Sequence, residues 1–216
     1  MFEIERPVMA VPTKSLGNPS LDWLAERGIK IPTDLPDFDR MCFVDLPDED
    51  FDILRSRPKE VPERVFCGDS AIGISCTDGL VESERELTVV KELGFGACKM
   101  SLMVLQSSDI EDIAQLDGLK VATSYPVATK RFFDSADVEL REIIVVGGAV
   151  EGMLRTRASR PDAIVDIVDK GTSQRANNLR VVAELGSQQA ILIENPELAS
   201  VYADVFQVLR ENVGDN

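Results

Sequence analysis

The stretch Asp162-Ala163-Ile164-Val165-Asp166-Ile167-Val168-Asp169-Lys170-Gly171-Thr172-Ser173 gathers the residue types that hold a phosphate. Gly171 permits a turn tight enough for backbone N–H groups to converge, and Thr172 and Ser173 add hydroxyl donors where a helix reads as starting. N–H groups at such a start have no intrahelical partner and carry partial positive charge. Asp162 and Asp166 bring carboxylates that would hold something polar beside the anion. Asp166 interrupts an apolar run, where an ionised carboxylate needs a partner or the open edge of a site. The same residue types also make an ordinary turn and N-cap, so the stretch alone specifies either an anion site or a junction.

The elements that must position this loop follow from hydrophobic spacing. Ala163 to Val168 reads as a strand covered on both faces. Ala176, Leu179, Val182 and Leu185 recur at helical spacing, so a helix is expected after the loop. Upstream, Val8 to Val11 is a buried strand, and Asn18-Pro19 opens a helix with Leu21, Leu24 and Ala25 as its apolar face and Gly28 as its stop. Residues 31–52, with Pro32, Pro36, Pro47 and seven Asp residues, read as short strands and surface loops. Further strands are expected at Phe51 to Leu54, Ala71 to Ile74, Lys99 to Gln106, Leu119 to Thr123, Ile143 to Val146 and Ala190 to Ile193. Val89 to Gly96 reads as a connection. Helices are expected before Gly68, from Ser108-Asp109 toward Leu116, over Pro126 to Phe133 and over Ala199 to Leu209. The alternation predicts an α/β architecture with mixed, largely parallel sheets, whose ligands bind at the carboxyl ends of the strands.

Composition narrows the chemistry. The chain has 216 residues, 44% hydrophobic and 28% charged, enough for one large domain or two small ones. No stretch approaches the ~18 apolar residues of a membrane span and no export signal precedes Val8, so a soluble cytoplasmic protein without a membrane partner is expected. A net charge of −15 argues against binding nucleic acid. Histidine is absent, which removes Ser-His and Cys-His nucleophiles, His-ligated zinc and imidazole acid/base steps. Cys42, Cys67, Cys76 and Cys98 show no C-x-x-C spacing and read as reduced, mostly buried thiols.

Several segments, in order, resemble the ATP phosphoribosyltransferase family of histidine biosynthesis. Pro12-Thr13-Lys14 is similar to its Pro-x-Lys-Gly-Arg, and Arg57-Pro58-Lys59-Glu60-Val61-Pro62 to its Arg-Pro-x-Asp-Ile-Pro. Gly68, Gly73-Ile74-Ser75 and Asp78 through Glu82 resemble its Gly-Ile-x-Gly-x-Asp region. Leu93-Gly94-Phe95-Gly96-Ala97-Cys98-Lys99 resembles Leu-Gly-Phe-Gly-x-Cys-x-Leu, Val121 to Pro126 its Ala-Thr-Lys-Tyr-Pro, and Gly147 to Glu151 its Gly-Ser-Val-Glu. The Asp162–Ser173 stretch, followed by Ala176-Asn177, is similar to the family's phosphoribosyl pyrophosphate loop.

The resemblance implies a two-domain fold like that of type II periplasmic binding proteins, with substrates held in a cleft. Domain I would comprise 1–102 plus 186–216, and domain II, carrying the loop, 103–185. The implied reaction attacks C1 of phosphoribosyl pyrophosphate with N1 of ATP and releases pyrophosphate, with Mg²⁺ as cofactor. It depends on positioning, so no protein nucleophile is assigned. Gly171, Thr172 and Ser173 would bind the 5′-phosphate, Glu151, Asp162, Asp166 and Asp169 the ribose or, through Asp166, Mg²⁺, and Lys14 and Arg57 the phosphates. The chain resembles the family's short form, which implies a histidyl-tRNA-synthetase-like regulatory subunit and an oligomer. It departs from the family at Ser15-Leu16, Cys76, Ser124, Val127 and Lys170, where two cations and two small residues are missing; Lys170 or Lys130 could replace lost charge. These departures leave open a non-catalytic relative that binds a nucleotide or phosphoribosyl ligand as a regulatory module.

Overall fold

Val8–Pro12 (β1) is apolar throughout and lies at the middle of a sheet buried on both faces, as a continuous hydrophobic run predicts. The structure, a computed structural model, describes residues 6–158 and 160–211. It falls into two compact units, Met1–Gly96 with Gln189–Asn216, and Ala97–Gln188. Boundaries at 102/103 and 185/186 would fall inside two strands of the second unit, Cys98–Leu105 and Leu179–Gln188.

In the first unit, β1 is followed by Gly17–Ala25 (α1), Phe43–Val44 (β2), Asp52–Ser56 (β3), Val61–Phe66 (α2), Ile72–Cys76 (β4), Thr77–Ser83 (α3) and Thr88–Glu92 (β5). The sheet order is β2-β3-β1-β4, then Ala190–Glu194, then β5. β1 runs parallel to β3 and β4, and the outer pairings are antiparallel. Alternation along β1 sends Met9 and Val11 into a core with Trp23 and Leu24, and Ala10 into one with Val61 and Val65. Gly73 lies under α2, where a Cβ would stand 2.8 Å from Val61 Cγ1 and 3.0 Å from Val65 Cγ2.

The second unit contains Cys98–Leu105 (β6), Lys120–Thr123 (β7), Pro126–Ser135 (α4), Glu142–Val145 (β8), Ala163–Val168 (β9), Thr172–Ala176 (α5) and Leu179–Gln188 (β10). Its sheet order is β10-β6-β9-β7-β8, parallel across β9, β7 and β8 and antiparallel at β6. Ala163 and Val165 pack with Phe133 and Tyr125, while Ile164 packs with Val150 and Leu154 from a 3₁₀ segment at Val150–Arg155. The chain continues in the first unit with Ala190–Glu194 (β11) and Gln207–Arg210 (α6).

The long helix expected after Gly171 is a correction: α5 ends at Ala176 and Leu179 begins a strand. Asn178, at φ 55°, turns the chain out of the helix. Register shifts at Val181/Ala183 and Glu184/Gly186 let Val182, Ala183 and Leu185 reach one core, so two bulges imitate the three-residue spacing of a helix. Ser108-Asp109 caps nothing: Asp112 does, accepting from Ala114 N–H at 2.7 Å, for a single 3₁₀ turn at Ile113–Leu116. Residues 199–206 form turns rather than a helix, and Thr88–Glu92 is an edge strand rather than a connection. Helix α1 starts at Gly17, without Asn18 as its cap.

The thiols are less buried than expected, with Cys42 and Cys67 exposed and Cys76 and Cys98 intermediate. Cys67 Sγ donates to Glu63 (3.3 Å), a carboxylate also held by Arg85 at 2.8 Å. The hydrogen bond to Glu63 and desolvation push the Cys67 thiol above its ordinary range. Glu63→Gln will therefore speed alkylation of Cys67 at fixed pH; an unchanged or slower rate contradicts this coupling. Gly73→Ala will lower stability to urea by about 1–3 kcal/mol, because α2 must move off the sheet.

Candidate anion site

β7 and β8 end side by side, with Thr123 level with Val145 and with Val165 of β9, which runs three residues further. The loops that follow sit at the carboxyl edge, where parallel sheets bind ligands. After β7 the chain is closed tightly, the Tyr125 N–H donating to Thr123 Oγ1 (2.9 Å). After β8, Gly147, Gly148 and Ala149 turn it back, with Ala149 held at φ 50°, an uncommon conformation for a residue with a side chain. The 3₁₀ segment 150–155 then packs on β9 and brings Glu151 to the loop, where the Ser173 hydroxyl donates to its carboxylate.

This arrangement borders an open hollow of about 260 Å³ lined by Glu151, Asp169, Lys170, Gly171, Thr172 and Ser173, with Met103 and Val168 among its apolar walls. Gly171 adopts φ 66°, the left-handed conformation its type permits. Helix α5 has only five residues, so anion affinity rests on loop N–H groups, hydroxyls and nearby cations more than on a macrodipole. Asp166 is half-buried on the strand face it shares with Ile164 and Val168, toward the 3₁₀ segment, and its Oδ1 accepts from the Ile167 N–H at 2.8 Å.

Asp162 lies elsewhere. Six strand residues separate it from the loop, about 20 Å at the rise of a strand. Its carboxylate accepts from Lys120 N–H (2.9 Å), and its own N–H donates to Lys120 O (2.8 Å). It borders a second hollow of about 310 Å³ at the amino end of β9, with Ser107, Ser108 and Arg160. Asp162 thus sits at the strand junction, away from the loop residues with which the sequence grouped it.

Lys14 and Arg57 belong to the first unit and are both exposed. They follow the level carboxyl ends of β1 and β3, joined by Thr13 N–H to Ser56 O at 2.8 Å. Lys14 is held at φ 62°, and the Arg57-Pro58 turn is anchored by Ser75 Oγ donating to Pro58 O (3.1 Å).

Two cations that the sequence pattern did not single out stand at the loop. Arg175 lies against Gly171, and Arg155 donates to Asn177 O at 3.4 Å, just after α5. Their signal was one of charge. Between 150 and 180, Arg155, Arg157, Arg160, Lys170, Arg175 and Arg180 face only four carboxylates, in a chain of net charge −15.

The family profile described as ATP phosphoribosyltransferase matches residues 57–213, most of the chain. The chain belongs to the ATP phosphoribosyltransferase family. Curated members from Methanopyrus kandleri and Haloarcula marismortui are 36% and 35% identical, over 88% and 82% of this chain. The chain spans 65% and 61% of those relatives' lengths. Among solved structures, the ATP phosphoribosyl transferase (HisG:HisZ) complex from Thermotoga maritima shares the fold, with TM-score 0.76 at 24% identity over 94% of both chains. The periplasmic aliphatic sulphonate binding protein from Escherichia coli also matches, at TM-score 0.59 and 13% identity over 96% of this chain and 67% of that one. The expected periplasmic-binding-protein-like fold is therefore present. Asp162→Ala will cost about 1 kcal/mol of stability through the lost bond to Lys120 N–H and leave phosphate affinity unchanged, as urea titration and calorimetry will show.

Proposed function

We propose that this member of the family is an ATP phosphoribosyltransferase, moving the phosphoribosyl group from phosphoribosyl pyrophosphate to N1 of ATP with release of pyrophosphate, the first step of histidine biosynthesis. The observation that carries the proposal is the hollow at the carboxyl end of β9, where Gly171, Thr172 and Ser173 meet Glu151. Loop N–H groups and the two hydroxyls bind the 5′-phosphate, and Glu151, Asp166 and Asp169 take the ribose side. Lys14 and Arg57 serve phosphate oxygens from their own rim. The second unit is the domain that carries the phosphoribosyl pyrophosphate loop.

Displacement at C1 asks the protein to align two substrates and stabilise a leaving pyrophosphate, tasks that need no histidine. Mg²⁺ would neutralise pyrophosphate charge. Among the described residues no three acidic or cysteine side chains form a ready metal cage. A phosphate-borne Mg²⁺ needs only one or two carboxylates, for which Asp166 is the candidate. The likeness to a HisG:HisZ complex from Thermotoga maritima supports a regulatory partner for this chain as well, in an oligomer. Among the described residues no helix is long and apolar enough to cross a membrane.

Pyrophosphate release from ATP, phosphoribosyl pyrophosphate and Mg²⁺, measured with and without the organism's regulatory subunit, tests the proposal. No release in either condition, with both ligands bound, would overturn turnover in favour of a ligand-binding regulatory module. That second reading draws on Ser124 and Ser15-Leu16, which stand where the family carries cations. Asp166→Ala will weaken phosphoribosyl pyrophosphate binding about ten-fold by calorimetry, with the melting temperature unchanged, through lost hydrogen bonds to the ribose or metal. Equal affinity removes Asp166 from the site.

A further inference from the structure

We infer that Glu151 makes the loop selective, admitting phosphate monoesters whose alcohol part carries hydroxyls and rejecting those that lack them. The inference rests on the reading of 169–173 as the anion loop. In the empty site the Ser173 hydroxyl donates to the Glu151 carboxylate, and both residues line the hollow. A hydroxyl has a single proton to give, so Ser173 cannot serve Glu151 and a phosphate oxygen together. An ionised carboxylate offers acceptors only, as the oxygens of a phosphate dianion do, so the two share no hydrogen bond. A phosphate that takes the Ser173 proton therefore releases Glu151 as a second anion beside it, and the carboxylate needs new donors from the ligand.

Both partners are held in place by their surroundings. Val150 before Glu151 and Leu154 one turn on are 0% and 1% exposed and pack with Met103 and Ile164, which fixes the backbone from which the carboxylate reaches the loop. Ser173 O accepts from Asn177 N–H and from Asn177 Nδ2, each at 3.0 Å, which holds the first turn of α5. Lys170, also in the lining, is a point charge that attracts any phosphate monoester alike and does not tell one from another. The distinction lies in whether the ligand's hydroxyls can replace Ser173 at Glu151. A site built to bond a substrate hydroxyl rejects the analogue lacking it, because its own polar group is left unpaired. The Glu151–Ser173 bond thus works by exchange: the phosphate takes the serine and the sugar takes the glutamate.

The test is calorimetry of the full chain with methyl phosphate and with ribose 5-phosphate, at about pH 8, above the second phosphate pKa of about 6. The chains compared are wild type, Glu151→Gln, Glu151→Ala and Ser173→Ala. Wild type should bind ribose 5-phosphate the more tightly. Both Glu151 variants should bind methyl phosphate about ten-fold more tightly than wild type does, and ribose 5-phosphate more weakly, so that the preference collapses. A merely structural loss would not raise an affinity. Ser173→Ala should weaken both esters and keep the preference. Methyl phosphate affinity that is unchanged or lower in both Glu151 variants would overturn the selective role of Glu151, as would a Ser173→Ala chain that binds both esters like wild type. A wild-type chain that binds neither ester nor phosphoribosyl pyrophosphate would overturn the anion-loop reading, and the inference with it.

Discussion

Two hydrogen bonds between Asp162 and Lys120, one from Lys120 N–H to the Asp162 carboxylate and one from Asp162 N–H to Lys120 O, set the register in which β9 pairs with β7, and the position of the 169–173 loop depends on that register. A slip of one residue would exchange the faces of β9. Asp166 would then enter the apolar layer beneath α4, and Val165 would face the 3₁₀ segment. With the register fixed, Thr123, Val145 and Val165 are level, and β9 continues three residues further to deliver Asp169 and Gly171 at the rim. The return of the chain through Ala149 then places Glu151 against Ser173.

Electrostatics works against the global charge. A phosphate ligand approaching a chain of net −15 meets repulsion at long range, and binding depends on a local reversal of sign. Under the proposed function the segment 150–180 is where that reversal would arise: Lys170 lines the hollow, Arg175 lies near Gly171 and Arg155 donates to Asn177 O just after α5. Many cations outside this region are paired with neighbouring carboxylates, as Lys130 is with Asp134 and Lys99 with Glu184.

The α/β class, the strands of both parallel triplets and the loop itself were legible in the sequence, most plainly where an inner strand such as β1 or β7 is buried and writes an apolar run. What misled was β10, whose bulges turn a strand's alternation into a helix-like spacing of three. Residues that work through distant pairing were also invisible. Asp162 reads as part of the loop because it is near in sequence, yet it lies at the other end of a strand. Glu151 and Ser173, 22 residues apart, could be joined only through family resemblance until the fold brought them together. Arg175 left no pattern of its own except the local excess of positive charge.

A titration of isotope-labelled protein with phosphoribosyl pyrophosphate, followed through backbone amide shifts, tests the assignment of the 169–173 loop as the anion site. Saturable shifts are expected at Gly171, Thr172 and Ser173, with Glu151 following, and none at Ser107 or Ser108 beside the second hollow. Shifts confined to the 105–110 end of the sheet, with the loop amides unmoved, would contradict that assignment.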